Sequence, residues 1–149
     1  MGALQRRKGQ RGEREFAKYL RDAGYEARRA QQYAGTGQDI HSADLVDSIV
    51  GARGEIKRGY NSDELYSKAV SEWVERAQED TPDDCWWYIA WRKDRKKWIL
   101  IYEDPLSKAI CHTHDVIKQI KYLEEYYLDN KLNNFTENLE TKKQNGSDT

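Results

Sequence analysis

Asp44 is followed eleven residues later by the triplet Glu55-Ile56-Lys57. On an extended strand, side chains two apart share a face, so Glu55 and Lys57 project together while Ile56 points the other way into a core. An acidic residue on a neighbouring strand, across a short turn, can then meet Glu55. Two carboxylates brought to one point repel each other unless a cation lies between them, and their hard oxygens suit Mg2+ or Mn2+. A metal so held polarises a phosphoryl oxygen and yields hydroxide from bound water near neutral pH. A lysine beside it holds the attacking water or offsets charge that develops in the transition state. These are the groups that phosphodiester hydrolysis needs. An exposed cross-strand ion pair uses the same Glu-x-Lys spacing, so the motif alone leaves both readings open. Asp39, five residues before Asp44, is an alternative acidic ligand.

Such side chains need elements to hold them. From Arg11 to about Ala23 the apolar residues Phe16, Ala17, Tyr19, Leu20 and Ala23 recur at three and four, the stripe of a helix packed on one side, and Gly24 stands where it would stop. A short strand is expected over Tyr25 to Arg29, then a loop containing Gly35, Thr36 and Gly37. Asp44-Leu45-Val46, a turn at Asp47 and Ser48, and Ile49 to Lys57 read as a β-hairpin with Gly51 and Gly54 inside it. Asp63 to Ala77 predicts a second amphipathic helix, ended by Thr81-Pro82. The aromatic runs Cys85 to Trp91 and Trp98 to Tyr102 read as core strands joined by the charged tip Arg92 to Lys97, and Trp86, Trp87 and Trp91 as sheet packing. His114 to Leu128 carries another helical stripe, and from Asn133 onward a polar, disordered tail is expected. The order of elements is that of an α/β fold with a mixed sheet.

At 149 residues, 34% charged and 38% hydrophobic, the chain suits one soluble globular domain. The longest apolar run, Trp86 to Trp91, falls far short of the ~20 residues that span a bilayer. Two cysteines, Cys85 and Cys111, are too few for a disulfide framework and read as reduced, so a cytoplasmic setting is expected. His112 and His114 lack a third ligand at zinc spacing and read as surface residues. The net charge of −1 is unevenly spread. Nine basic against four acidic residues stand between Met1 and Arg29, and five against one between Arg92 and Lys97. The stretch 61–84 reverses the sign, with eight acidic residues against Lys68 and Arg76. A basic face on a neutral protein is compatible with phosphate binding.

The run Arg7-Lys8-Gly9-Gln10-Arg11-Gly12-Glu13-Arg14-Glu15-Phe16, then Gly24-Tyr25, Arg28-Arg29, Ala43-Asp44-Leu45-Val46 and Glu55-Ile56-Lys57 together resemble the PD-(D/E)xK nuclease superfamily. Within it they are most similar to the archaeal-type Holliday junction resolvases and their phage-borne relatives. The resemblance covers roughly residues 6–102. Ala43 stands where the superfamily often has Pro, and Gly54 where an apolar residue is usual.

The resemblance implies a restriction-endonuclease-like α/β core at about 6–104, a mixed central sheet flanked by helices, with an extra C-terminal helix at about 112–132. One domain, 1–132, would precede the tail 133–149. It implies that Asp44, Glu55 and Glu13 ligate Mg2+, with Mn2+ as a substitute, and that Lys57 assists the nucleophile. Glu13 would also be favoured in a first helical turn by the helix dipole. Arg7, Lys8, Arg11, Arg14, Arg28, Arg29 and Arg58 are the expected DNA contacts, and the Arg92 to Lys97 tip is a further candidate for that surface. The implied function is a structure-selective endonuclease that resolves four-way DNA junctions as a homodimer. The alternatives are another nuclease of this fold, of repair or restriction type, and a non-catalytic DNA-binding protein.

Overall fold

Phe16, Ala17 and Leu20 form a buried stripe on helix α1 (Ala3–Asp22), and the way that helix ends sets the direction of the chain that follows. Gly24 adopts φ +99°, and the amides of Gly24 and Tyr25 donate to the carbonyls of Arg21 and Leu20. This left-handed cap needs glycine and closes the helix. The computed structural model describes residues 3–30, 44–59 and 68–146, with side chains from 9 to 131 within those ranges. After the cap, β1 (Ala27–Arg29) pairs antiparallel with β2 (Leu45–Asp47).

A four-stranded mixed sheet lies beside this pair, in the order β3 (Ala52–Arg58), β4 (Trp86–Arg92), β5 (Ile99–Glu103), β6 (Ile110–Thr113). β3 and β4 are parallel and bracket helix α2 (Lys68–Asp80), while β4–β5 and β5–β6 are antiparallel. Alternation along β4 sends Trp87, Ile89 and Trp91 to one face and Tyr88 and Ala90 to the other. On the first face Val70, Val74 and Ala77 of α2 cover them. On the second, Phe16 and Leu20 of α1 meet Val116, Ile120 and Leu123 of helix α3 (Val116–Gly146). Both faces are covered, which explains why β4 reads as an unbroken apolar run. The expected α/β architecture with a mixed sheet and a C-terminal helix is the observed one.

Several boundaries differ from expectation. Helix α1 begins eight residues before Arg11, so Glu13 lies mid-helix and the dipole account of it fails. The first strand is limited to Ala27–Arg29, and β6 was not anticipated because its four residues, half-exposed, carry too little hydrophobic pattern. Helix α2 starts at Lys68, and the part of the prediction over 63–67, like the loop around Gly35 and the alternative ligand Asp39, lies outside the described residues. The tail expected to be disordered from Asn133 continues α3 to Gly146. Between Lys131 and Gln144 the sequence has no Gly or Pro, and Leu, Glu and Lys there propagate a helix already nucleated by its packed first turns.

Two glycines mark close approaches. A Cβ at Gly12 would lie 2.7 Å from Arg58 Cβ, so glycine lets α1 sit directly on β3. At Gly54 a Cβ would overlap the phenol of fully buried Tyr88 on β4. The apolar side chain missing at position 54 is therefore replaced by a ring from the next strand. Gly54→Ala is expected to lower the unfolding free energy by about 1–3 kcal/mol. In urea denaturation its effect should shrink once Tyr88→Ala is also present, whereas additive losses would mean that the two do not touch.

Candidate active site

The expected hairpin between Asp44 and Lys57 is present only as a splayed pair, and Asp44 is the cause. Its amide donates to Gly54 O at 3.0 Å, as a ladder partner would. Its carboxylate Oδ2 then accepts the Ile56 amide at 2.7 Å, a role that a backbone carbonyl would fill in a regular sheet. A side chain thus stands in for the backbone, β2 takes β1 as its ladder partner, and the Asp44 carboxylate is wedged against β3. That is an edge strand of the four-stranded sheet.

Glu55, one residue before the Ile56 amide, projects to the α2 face opposite Ile89. Burial pushes its carboxyl up to about 7, and the charge of Asp44 together with a hydrogen bond shared with it adds to the rise. Arg53 and Lys57 oppose it. Glu55 thus holds its proton to a higher pH than an exposed carboxyl would. Two carboxylates close enough to disfavour each other's ionisation offer hard oxygen donors of the kind that suit Mg2+ or Mn2+.

Glu13 approaches from α1, the opposite side of the sheet. Burial raises its carboxyl above the ordinary range despite the bond it accepts from Arg29 Nε at 2.7 Å, and Asp44 contributes to that rise. Glu13, Asp44 and Glu55 therefore share one electrostatic neighbourhood. Among the described residues no three His, Cys, Asp or Glu side chains are yet gathered into a metal cage. What is present is a joined pair with the third acid turned to an arginine.

Lys57 lies on the same face as Glu55, with its Nζ 5.5 Å from the centre of the Trp73 ring on α2. Trp73 in turn packs edge-on against Trp91, 5.4 Å between centroids. Arg53, only 8% exposed, pairs with Glu55 at 3.5 Å. Sequence reasoning passed over both Arg53 and Trp73. The signal for Arg53 was its position two residues before Glu55, which puts it on the same strand face. Trp73 was absorbed into the apolar stripe of α2 and could be linked to Lys57 only by the packing of helix on sheet.

The expected DNA contacts divide. Arg14 and Arg28 are exposed. Arg11 is exposed too, though it pairs with Glu15 at 3.1 Å. Arg29 is held by Glu13. Arg58 is not on the surface: its side chain is 8% exposed and bound by Glu15 and Asp94, because its strand position turns it under α1. Arg92 reaches the same Glu15 at 3.1 Å. Burial alone would push Glu15 up, but Arg58, Arg92 and Arg11 hold its carboxyl below the usual range. The side chains of Arg7 and Lys8 lie outside the description. His112 is exposed on β6, and His114 directs Nδ1 to the Trp98 carbonyl at 3.2 Å.

A second acid was not anticipated. Asp47 is pushed by burial to about 6, although it accepts bonds from the Ile49 amide and, at 3.2 Å, the Tyr88 hydroxyl.

Fold and site together define an α/β protein whose edge strand carries Glu55 and Lys57, with Asp44 set against that strand and Glu13 nearby. No family model matches the chain and no curated protein matches it. Among solved structures it is similar to Hjc of Archaeoglobus fulgidus, a Holliday junction resolvase from an archaeal hyperthermophile. The two share 20% identity over 70% of this chain and 87% of that one, with a TM-score of 0.43. Among the described residues no helix is long and apolar enough to cross a membrane.

The raised acids give a signed pH dependence. In the absence of divalent ions, folded Glu55 keeps a proton that the unfolded chain releases between about 4.5 and 7, so stability falls as pH rises through that window. Asp47 acts with the same sign between 3.8 and about 6, and Glu13, also raised by burial, adds with that sign. Unfolding free energies from urea denaturation should therefore decline from pH 4 to 8 by an amount on the order of 1 kcal/mol or more. Glu55→Gln should remove the decline above about pH 6 and its share of the decline below, and Asp47→Asn only a share of the decline below about pH 6. A flat profile in the unaltered protein would mean that neither acid is shifted.

Proposed function

We propose that the chain is a metal-dependent, structure-selective DNA endonuclease of the PD-(D/E)xK type that resolves four-way junctions. The observation that carries this is the meeting of Asp44 and Glu55 at one point with Lys57 on the same strand face. It is supported by the ordered motifs that resemble the superfamily and by the exposed arginines Arg11, Arg14 and Arg28.

Asp44 and Glu55 would hold the cation, with Glu13 completing the set after release from Arg29. When bound, a divalent ion supplies Lewis-acid polarisation of the scissile phosphate and a water acidic enough to lose its proton near pH 7. The remaining work falls to the chain. Asp44, anchored on the Ile56 amide, fixes where the acid pair stands along β3. Arg53, buried behind Glu55, keeps that carboxylate in place once its proton is gone. Lys57 presents its ammonium on the Glu55 side, where it orients the attacking water and offsets charge on the phosphoryl oxygens. Arg29, freed of Glu13, is left beside the site as a phosphate contact. A four-way junction has two-fold symmetry, so a C2 homodimer would set two such sites on opposed strands and nick them in pairs.

Cleavage of a labelled synthetic four-way junction beside matched linear duplex tests this reading. Symmetric nicks on the junction are expected with Mg2+, absent with EDTA and with Asp44→Asn. Lys57→Ala should lose roughly 100-fold or more in rate at saturating DNA. Equal cutting of linear duplex would reassign the protein to another nuclease of this type, and binding without cutting in any metal would make it a non-catalytic DNA-binding protein.

A further inference from the structure

On the α1 face of the sheet, away from Glu55, a groove of about 550 Å³ runs between α1, the β4–β5 tip and the residues that lead into α3. Its acids are already matched. Glu15 on its floor is bound by Arg92, Arg58 and Arg11, and Asp22 lies 3.8 Å from Lys18. Lys96 and Lys97 on the rim have no acidic partner among the described residues. Two unbalanced positive charges therefore face this cavity.

The tip that carries them is a built structure rather than a loose charged loop. Arg92 donates from Nε to the Lys96 carbonyl at 2.9 Å, and its guanidinium lies 5.9 Å from the centre of the Trp98 ring. Asp94 is tied to Arg58 of β3, and Arg95 takes the left-handed conformation, φ 62°, that turns the chain back. Buried Trp98 packs edge-on against Phe16, so the groove wall is continuous with the core. The backbone that presents Lys96 and Lys97 is thus fixed by folding, while their side chains stay exposed. Two adjacent ammonium groups on a fixed turn suit a ligand with repeated negative charge.

Position selects the ligand. In the sheet Arg92 pairs in register with Arg58, three residues past Glu55 on β3, which is about 10 Å along the strand. The groove thus opens just beyond the end of the strand that bears Glu55 and Lys57. We infer that it is a second phosphate-binding site, which takes the phosphodiester backbone of a DNA arm extending past the carboxylate site, with Lys96 and Lys97 as its contacts. This rests on the nuclease reading and adds to it the path that the bound DNA follows. Those contacts fix position and carry no sequence information.

The test is equilibrium binding of a labelled four-way junction and a labelled linear duplex to the full chain in EDTA, across a series of salt concentrations. Lys96→Glu/Lys97→Glu is compared with Lys108→Glu/Lys121→Glu, which changes the net charge equally at exposed positions outside the groove. The groove variant should bind roughly tenfold or more weakly than the control at low salt, with a log–log salt slope smaller by about 2. Circular dichroism should show both variants folded. Equal losses in the two variants overturn the groove assignment and leave the nuclease reading in place. A parent chain that binds neither DNA overturns both.

Discussion

The Asp44 carboxylate accepting the Ile56 amide is the interaction on which the site depends. Because a side chain occupies that position in the hydrogen-bond pattern, β2 and β3 cannot close into a regular ladder, and the gap is filled by an acid. The neighbouring Glu55 must then share space with it, half-buried, where desolvation and a like charge both disfavour ionisation. The protein tolerates this conflict on an edge strand, where little backbone pairing is lost.

The rest of the sheet divides the work between two faces. On one, α2 brings Trp73 over Lys57 and buries Trp91 beneath it, so the lysine beside the acid pair is backed by an aromatic wall. On the other, Glu15 gathers Arg11, Arg58 and Arg92 into one cluster that fastens α1, the end of β3 and the β4–β5 tip together. Gly12 makes that clustering possible by removing the one side chain that would hold α1 away from Arg58. Isolated exposed ion pairs contribute little, but Arg58 is nearly buried and bound by two carboxylates, so loss of both acids would leave a costly unmatched charge.

Much of the fold was legible because its helices and central strands are long enough to show their period. The stripe at Phe16, Ala17 and Leu20, and the aromatic runs either side of Arg92 to Lys97, state their structure directly. Short elements escaped. The four residues of β6 are half-exposed and show no clear alternation in hydrophobicity, and the start of α1 carries no apolar stripe. The continuation of α3 past Asn133 is polar, so composition pointed to disorder where backbone propensity and an already formed helix decided otherwise.

The sequence by itself determined the acids and the lysine, their order, and through the two-residue repeat of a strand that Glu55 and Lys57 share a face. It also determined that basic charge is concentrated before Arg29 and at the β4–β5 tip. Only the tertiary structure decided that Asp44 replaces a backbone acceptor, that Arg29 turns to Glu13, and that Arg58 is a buried brace rather than a surface contact. It likewise decided that Trp73 and Arg53 belong to the site. Charge and periodicity are properties of neighbours along the chain, whereas partner choice is made between residues tens of positions apart, after packing has fixed which groups lose their water.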